Sequence, residues 1–388
     1  MPDELLKPAP ADSSKVNLHE PFEVEYWTQK LGCSREELEA AVQANGTDAG
    51  NVAAYFQPKS SLPIRRIHLE NFRSFRDLEI GPFKRVNLIA GLNNAGKTGL
   101  LEAIFLALRR EGGDQRTQPV KLPHLFRVFS SQTNFNENFW PWLFRDKRSS
   151  QDLRITVTFG SGQQDGIVLS EQQHVQKQGH VGLKHVGNLG QFQVRRPKEA
   201  PTTLPRPAVF ASHPSDPVQD AIDYNRVILR RGKKKVEELL RQIDPRLQSI
   251  EALQTGQQPL IYADIGLPEM IPVSHLGEGF CRLLDIYSEL LAGEARVLLI
   301  DEVENGLHHS VLPIVWKGLL AAAKELDVQI FATTHSAECI FAADQAARQN
   351  KPYDLNLIRL DRVDGEIQAT MVDADAMETA KEFAWELR

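Results

Sequence analysis

Gly91-Leu92-Asn93-Asn94-Ala95-Gly96-Lys97-Thr98 decides how this chain is read. It follows an apolar run, Val86-Asn87-Leu88-Ile89-Ala90, and precedes Leu100-Leu101-Glu102-Ala103-Ile104-Phe105-Leu106, whose apolar residues recur at helical spacing. A strand that turns through G-x-x-x-x-G-K-[ST] into a helix is the setting in which that spacing makes a phosphate cradle. Loop N–H groups and the helix N-terminus then surround the β- and γ-phosphates of a nucleoside triphosphate. Gly91, Asn93, Asn94, Ala95, Gly96, Lys97, Thr98 and Gly99 are therefore the expected nucleotide-binding positions. Lys97 would neutralise phosphate charge, and the Thr98 hydroxyl would sit on Mg²⁺.

A second stretch points the same way. Val297-Leu298-Leu299-Ile300 is a short strand of the buried type and ends in Asp301-Glu302. In P-loop enzymes such a strand is expected beside the P-loop strand, with its terminal Asp holding Mg²⁺ through water. The adjacent Glu can take a proton from the attacking water. Asp301 is the expected metal residue and Glu302 the expected general base, which implies an enzyme that binds and hydrolyses a nucleoside triphosphate.

The 388 residues suggest one large α/β domain with an appendage. A net charge of −6 argues against a nucleic-acid field over the whole molecule, while leaving room for a local basic groove. Cys33, Cys281 and Cys339 stand far apart without ligand spacing, which reads as reduced thiols in a reducing compartment. Met1-Pro2-Asp3-Glu4 is not a basic signal region, and no apolar run reaches the ~18 residues of a spanning helix. A cytoplasmic location and no membrane partner are expected.

Along the chain, residues 1–15 read as a disordered tail rich in Pro, Ala, Asp and Ser. Residues 16–57 read as a small three-helix, all-α domain. Pro21 opens its first helix, and Phe22, Val24, Tyr26, Trp27 and Leu31 offer the apolar face. Ser34 with Glu37 caps the second helix, and Thr47 the third. The acidic balance of this unit opposes DNA contact and favours packing or partner docking. Residues 58–63 form a linker, and 64–388 the main domain.

Within that domain, Ile64–Asn71 and Phe75–Ile80 read as an antiparallel pair leading into the P-loop strand. Asn138–Phe144 reads as an aromatic knot in the core, and Leu153–Phe159 as an alternating strand. Shorter strands are expected at Ile167–Leu169, Gln191–Val194 and Val209–Phe210. His174, His180 and His185 keep no tight metal spacing. Residues 218–255 read as a helical insertion broken at Asp244-Pro245. Two strand–helix units follow, around 297–323 and 328–349, and then an acidic tail with a hairpin-like Leu360–Met371. Asn350-Lys351-Pro352-Tyr353-Asp354 is one residue too long for a guanine-reading N-K-x-D.

Ile67-His68-Leu69-Glu70-Asn71-Phe72-Arg73-Ser74-Phe75, the P-loop, Leu276-Gly277-Glu278-Gly279-Phe280, Asp301-Glu302 and Thr333-Thr334-His335-Ser336 occur in that order. The order resembles the ABC-type, SMC-like heads of chromosome-maintenance and double-strand-break-repair ATPases. Asp301-Glu302-Val303-Glu304-Asn305-Gly306-Leu307-His308-His309 with Thr333-Thr334-His335-Ser336 resembles more closely the OLD-like bacterial ATPases of the AAA family. Residues 16–57 separately resemble a small bacterial domain of unknown function. The resemblance implies an α/β P-loop NTPase of the ABC-ATPase head type, with a mixed sheet, antiparallel amino-terminal strands and flanking helices. It implies ATP and Mg²⁺ as ligands, Glu302, His335 and Lys97 in catalysis, His335 as the switch histidine sensing the γ-phosphate, and Arg73 as a nucleotide contact.

In the family, ATP lies between two heads, and the signature of one completes the site of the other. A homodimer through a head-to-head ATP sandwich, or a higher oligomer, is thus the implied assembly. Ser274, Gly277, Glu278 and Gly279 are the positions acting in trans. The usual signature Ser is replaced by Gly277, so its hydroxyl contact is missing unless Ser274 supplies it. His308 stands where exporter-type heads have Asp.

OLD-like proteins often carry a carboxy-terminal nuclease domain, and little more than fifty residues follow His335, too few for one. The resulting expectation is an ATP-hydrolysing switch subunit that gates a separate effector, such as a nuclease, in phage defence or DNA maintenance. The alternative is a DNA-clamping repair ATPase like RecF, with Arg230-Arg231-Gly232-Lys233-Lys234-Lys235 as its DNA contact.

Overall fold

The computed structural model describes residues 63–108, 140–147, 150–171, 183–189, 192–197, 207–210, 217–254, 256–292 and 296–382. Towards the amino terminus it describes 15–18, 20–31 and scattered single positions up to 52. Chain contacts divide it into two compact units, Met1–Ser61 and Leu62–Arg388.

In the first unit, α1 (Pro21–Leu31) lays Val24 and Trp27 against Val16, Leu38, Ala49 and Val52. Phe22, expected on the apolar face, stays 47% exposed. It sits in the first turn, before the i, i+3 pair Val24–Trp27 that the small core takes up. The expected second and third helices fall largely outside the described residues, as do the tail and most of the linker.

The second unit is built around a six-stranded mixed sheet, ordered β15-β14-β3-β13-β12-β8. Here β3 is Val86–Ala90, β8 Pro207–Phe210, β12 Val297–Ile300, β13 Gln329–Thr333, β14 Leu355–Val363 and β15 Glu366–Val372. Five strands run parallel, and β15 closes one edge as the antiparallel arm of a hairpin with β14. The strands read as continuous apolar runs because both faces are covered. Alternation assigns the sides. Val86, Leu88, Ala90, Leu298, Ile300, Ile330 and Ala332 face one core, and Ile89, Val297, Leu299, Phe331 and Ile358 face the other.

The second core lies under α2 (Lys97–Leu108), the helix that leaves the P-loop. Its other wall is a six-stranded antiparallel sheet, β2-β1-β4-β5-β7-β6. The strands are β1 (Ile64–Phe72), β2 (Phe75–Ile80), β4 (Leu153–Phe159), β5 (Gln164–Glu171), β6 (Leu183–Leu189) and β7 (Phe192–Pro197). Squeezed between two sheets, α2 buries all but two of its residues, Glu102 among them. The first core packs against α3 (Pro217–Leu229), α4 (Lys233–Arg241), α5 (Glu278–Leu291), α6 (Leu312–Glu325) and α7 (Ala337–Gln349). A last helix, α8 (Ala374–Glu382), follows β15.

Four expectations are corrected. The strand ending in Asp301-Glu302 is not beside the P-loop strand, because β13 lies between β12 and β3. Parallel strands are joined by long crossovers, so neighbours in a sheet need not be the strands whose motifs belong together. The pair β1–β2 belongs to the antiparallel sheet and not to that of β3. The helical reading of 218–255 holds for α3 and α4 and then fails. Past Pro245 the chain forms β9 (Ser249–Leu253), which pairs with β10 (Leu260–Asp264) and through it with β11 (Ile271–Pro272). Asp244-Pro245 is a helix terminator, and Ile250 alternates inward with half-buried neighbours as a strand requires. In the aromatic knot, Leu143 and Phe144 are core, at 2% exposed each, whereas Trp142 is 57% exposed. It projects from a four-residue 3₁₀ turn (Trp140–Leu143) too short to bury both faces.

The strand β6 lies in a Gln/Gly/His-rich stretch that composition alone does not mark. His174 and His180 of that stretch lie outside the described residues.

Candidate nucleotide site

The C-terminal ends of β3, β13 and β12 meet at one edge of the parallel sheet, the place where open α/β sheets present ligand-binding loops. From β3 the chain enters the P-loop with Gly91 at φ +146° and Gly96 at φ +87°. A Cβ at Gly91 would lie 2.4 Å from the Leu360 carbonyl oxygen, and one at Gly96 2.8 Å from the Phe75 ring, so neither position admits a side chain. Asn94 takes the left-handed conformation at φ +65°, which Asn tolerates better than most residues. The Lys97 ammonium donates to the carbonyl oxygens of Gly91, at 2.7 Å, and Leu92, at 3.1 Å. Burial lowers the Lys97 pKa, and the nearby charges of Asp301, Glu302 and Glu304 work against that shift. The lysine is thus stretched back over its own loop and faces three carboxylates.

Thr98 Oγ1, on the first turn of α2, is 3.1 Å from each carboxylate oxygen of Asp301. Thr333 Oγ1 donates to Asp301 at 2.6 Å and accepts the Glu302 N–H at 2.8 Å. One hydroxyl from β13 therefore fixes both acids. Glu302 itself is held at φ +49°, strained for a residue with a side chain, and its carboxylate accepts a hydrogen bond from the Asn305 amide. His335 is tied to Glu304 twice, by its backbone N–H at 2.9 Å and by Nδ1 at 3.1 Å. Its ring keeps 50% exposure, so it remains available above the strand ends.

Hard oxygen donors, one hydroxyl and one carboxylate, suit Mg²⁺, which keeps most of its waters and shares phosphate oxygens. Among the described residues no group of three or more His, Cys, Asp or Glu converges to make an all-protein cage. The residues present therefore fit a metal that arrives with a triphosphate.

The signature stretch follows a 3₁₀ turn, Val273–Leu276, which carries Ser274. Gly277 at φ +95° turns the chain into α5, leaving Gly277 and Glu278 exposed. Gly279 is where two backbones touch. A Cβ there would lie 2.3 Å from the Gly306 carbonyl oxygen, so the start of α5 packs on the loop that follows Glu302.

Arg73 stands at the β1–β2 turn with φ +50°. Its Nε is 2.8 Å from a carboxylate oxygen of Glu102 on α2, and its backbone N–H donates to Leu143 at 2.7 Å. Burial pushes Glu102 up to about 8 even against the Arg73 charge, and burial lowers Arg73 as well. Arg73 is thus fixed to the first turns of the P-loop helix.

The structure gathers Lys97, Thr98, Asp301, Glu302 and His335 at one edge and brings Gly279 against the loop behind Glu302. Sequence reading missed the residues that hold these groups. Thr333, Glu304 and Asn305 stand in the sequence only as members of longer motifs. Arg282, on α5, donates through Nη2 to the backbone oxygens of Asp301 at 2.5 Å and Glu302 at 2.8 Å. An Arg inside an apolar helix, Phe280-Cys281-Arg282-Leu283-Leu284, was the available signal.

Fold and site together define a P-loop nucleoside triphosphatase. Family comparison agrees, since one AAA-domain model matches residues 66–257. A second AAA-domain model, whose description attaches it to the AbiEii toxin of type IV TA systems, matches residues 199–340. Between them the two models match residues 66–340. Residues 6–57 match the protein family of unknown function DUF3606. An ATP/GTP phosphatase of Helicobacter pylori is 25% identical over 336 residues, covering 74% of this chain and 89% of that protein. A RecF DNA replication and repair protein of Nitrosococcus oceani is 44% identical over 43 residues, 11% of this chain and 12% of that protein. Among solved structures, an SMC head domain from Thermotoga maritima is 15% identical with a TM-score of 0.44, covering 80% of this chain and 100% of that one.

Proposed function

We propose that the chain is a Mg²⁺-dependent ATP-hydrolysing switch subunit of ABC-head type that gates a separate effector. The observation that carries the catalytic part is the Thr98–Asp301–Thr333–Glu302 network at the strand ends, within reach of the Lys97 charge. Bound there, Mg²⁺ would offset charge on the β- and γ-phosphate oxygens, with Thr98 and Asp301 as its protein-side donors. Lys97 exchanges the Gly91 and Leu92 carbonyls for phosphate oxygens. Glu302, fixed at its backbone by Thr333 and at its carboxylate by Asn305, takes a proton from water attacking the γ-phosphorus. His335, steadied by Glu304, is positioned to register whether that phosphate is present.

The contact of Gly279 with Gly306 supports a switch. A γ-phosphate that pulls on the start of α5 also moves the loop behind the base, and the reverse holds by linkage. In the sandwich reading, the exposed Gly277–Glu278 turn of one copy faces the γ-phosphate of another, with Ser274 supplying the hydroxyl. Light scattering of the hydrolysis-deficient Glu302→Gln variant is expected to show a doubled mass with ATP and Mg²⁺ and a single mass without nucleotide. A monomer under both conditions removes the sandwich.

The effector reading is favoured over a DNA clamp by what the basic run does. Lys233 is paired with Glu251 and lies 3.8 Å from Glu237, and Lys235 is 3.1 Å from Glu325. Lysines already neutralised by carboxylates gain less from phosphate contact. The AbiEii-toxin description of one matching model supports a defence or toxin–antitoxin setting for this switch. The test is salt dependence of duplex DNA binding by the isolated protein with ATP. A gating subunit gives weak binding and a slope unchanged by Lys233→Ala, Lys234→Ala and Lys235→Ala together. Tight ATP-dependent binding whose slope flattens in the triple variant establishes the clamp instead.

A further inference from the structure

Beside the P-loop helix lies a cavity of about 440 Å³ lined, among the described residues, by Arg73, Trp142, Phe144, Asp146 and Lys147. We propose that this cavity seats the purine base of the nucleotide whose phosphates the P-loop takes, with Trp142 as its stacking surface. The proposal rests on the P-loop reading and extends it from phosphate to base.

Position carries the first part of the argument. A Cβ at Gly99, the residue after Thr98, would lie 3.7 Å from Arg73 Cδ, and Arg73 reaches Glu102 one turn further along α2. Arg73 thus belongs both to the flank of the phosphate-binding turn and to the wall of the cavity. A triphosphate running from Lys97 towards Gly99 directs its ribose and base to that flank. The volume falls in the range of small-molecule sites, roughly 300–1,000 Å³.

Chemistry carries the second part. The core does not take up the Trp142 side chain, although the turn is firmly anchored. Leu143 accepts from the Arg73 N–H, Phe144 bridges to Phe72, and both Leu143 and Phe144 are buried. The Lys147 ammonium stands 3.4 Å from the centroid of the Trp142 ring, yet Trp142 keeps 57% of its surface open. An aromatic ring beside cations suits a flat, electron-rich heterocycle. The Asp146 carboxylate, 59% exposed, can accept from the amino group of adenine or from the N–H edge of guanine.

Backbone conformation supplies the third part. Arg73, Asp146 and Lys147 have φ of +50°, +51° and +56°. Three of the five lining residues therefore occupy the left-handed region without being glycine, a form of strain that concentrates at binding sites.

The test measures binding to the full chain, with Mg²⁺, of ATP, GTP and inorganic tripolyphosphate by calorimetry. Trp142→Ala is expected to weaken ATP and GTP about tenfold or more and leave tripolyphosphate unchanged, since stacking on one aromatic carries that range. Trp142→Phe is expected to restore most of the loss. Lys97→Ala weakens all three ligands. Unchanged ATP affinity in Trp142→Ala, or an equal loss for tripolyphosphate, overturns the base pocket while leaving the phosphate site standing. A wild-type chain that binds neither tripolyphosphate nor ATP overturns the P-loop reading and the base pocket with it.

Discussion

Glu302→Gln is expected to bind ATP as the wild type does and to turn it over about 10²–10⁴-fold more slowly, the usual range for losing a positioned base. Gln keeps the volume and can still accept the Asn305 hydrogen bond, while the backbone N–H that Thr333 holds is untouched. What it loses is the capacity to take a proton. Lys97→Ala fails differently. It removes the loop ammonium that the charges of Asp301, Glu302 and Glu304 act on, so phosphate oxygens entering the site lose their cationic partner on the P-loop. Affinity should then collapse before turnover can be measured. Steady-state hydrolysis with parallel nucleotide titration separates the two. Wild-type turnover in Glu302→Gln would remove Glu302 from the role of base and direct attention to Glu304, whose carboxylate approaches His335.

The contrast between these variants reflects what was legible in the sequence. The P-loop is a local object: eight consecutive residues, a strand before and a helix after, and two glycines whose conformations the turn demands. Asp301-Glu302 is local too, ending an apolar run of four residues. Strand order is not local. Nothing in Val297–Ile300 or Val86–Ala90 says that β13 will come between them, because that order is set by the crossover connections. The same holds for the groups that hold the acids. Thr333 joins Asp301 and Glu302 across 32 and 31 positions of sequence, and periodicity gives no sign of such a bond. Strand β9 is hidden for another reason. The helical pattern before it invites continuation past Pro245, where the missing N–H and the alternation of Ile250 mark the change. The exposure of Trp142 is not legible because a cluster of aromatics in sequence is not a cluster in space: a 3₁₀ turn points neighbours in different directions.

Arg282 links α5 to Asp301 and Glu302, the proposed metal residue and base, and its removal is expected to have the second largest effect on turnover. Its side chain is 5% exposed. Burial lowers its pKa, but the surrounding Asp301, Glu304, Glu302 and Asp285 charges oppose that shift, and the guanidinium remains charged. Through Nη2 it clamps the carbonyls of Asp301 and Glu302, whose side chains in the proposed function serve metal and water. Arg282→Met fills similar space and leaves both carbonyls without that donor, at a cost of about 1–3 kcal/mol for an unsatisfied buried group. A displacement of the base by about 1 Å costs on the order of 10² in rate. The expected result is kcat lower by about ten- to a hundred-fold, with KM nearly unchanged and a lowered melting temperature. A purely structural arginine would lower the melting temperature and leave the kcat of the folded fraction intact. The double variant Arg282→Met with Glu302→Gln adds a sharper criterion. If Arg282 acts by positioning Glu302, the losses are non-additive, because a base already absent cannot be misplaced. Fully additive losses would mean that α5 and the base work independently, and that no path leads from the signature turn to the chemistry through this residue.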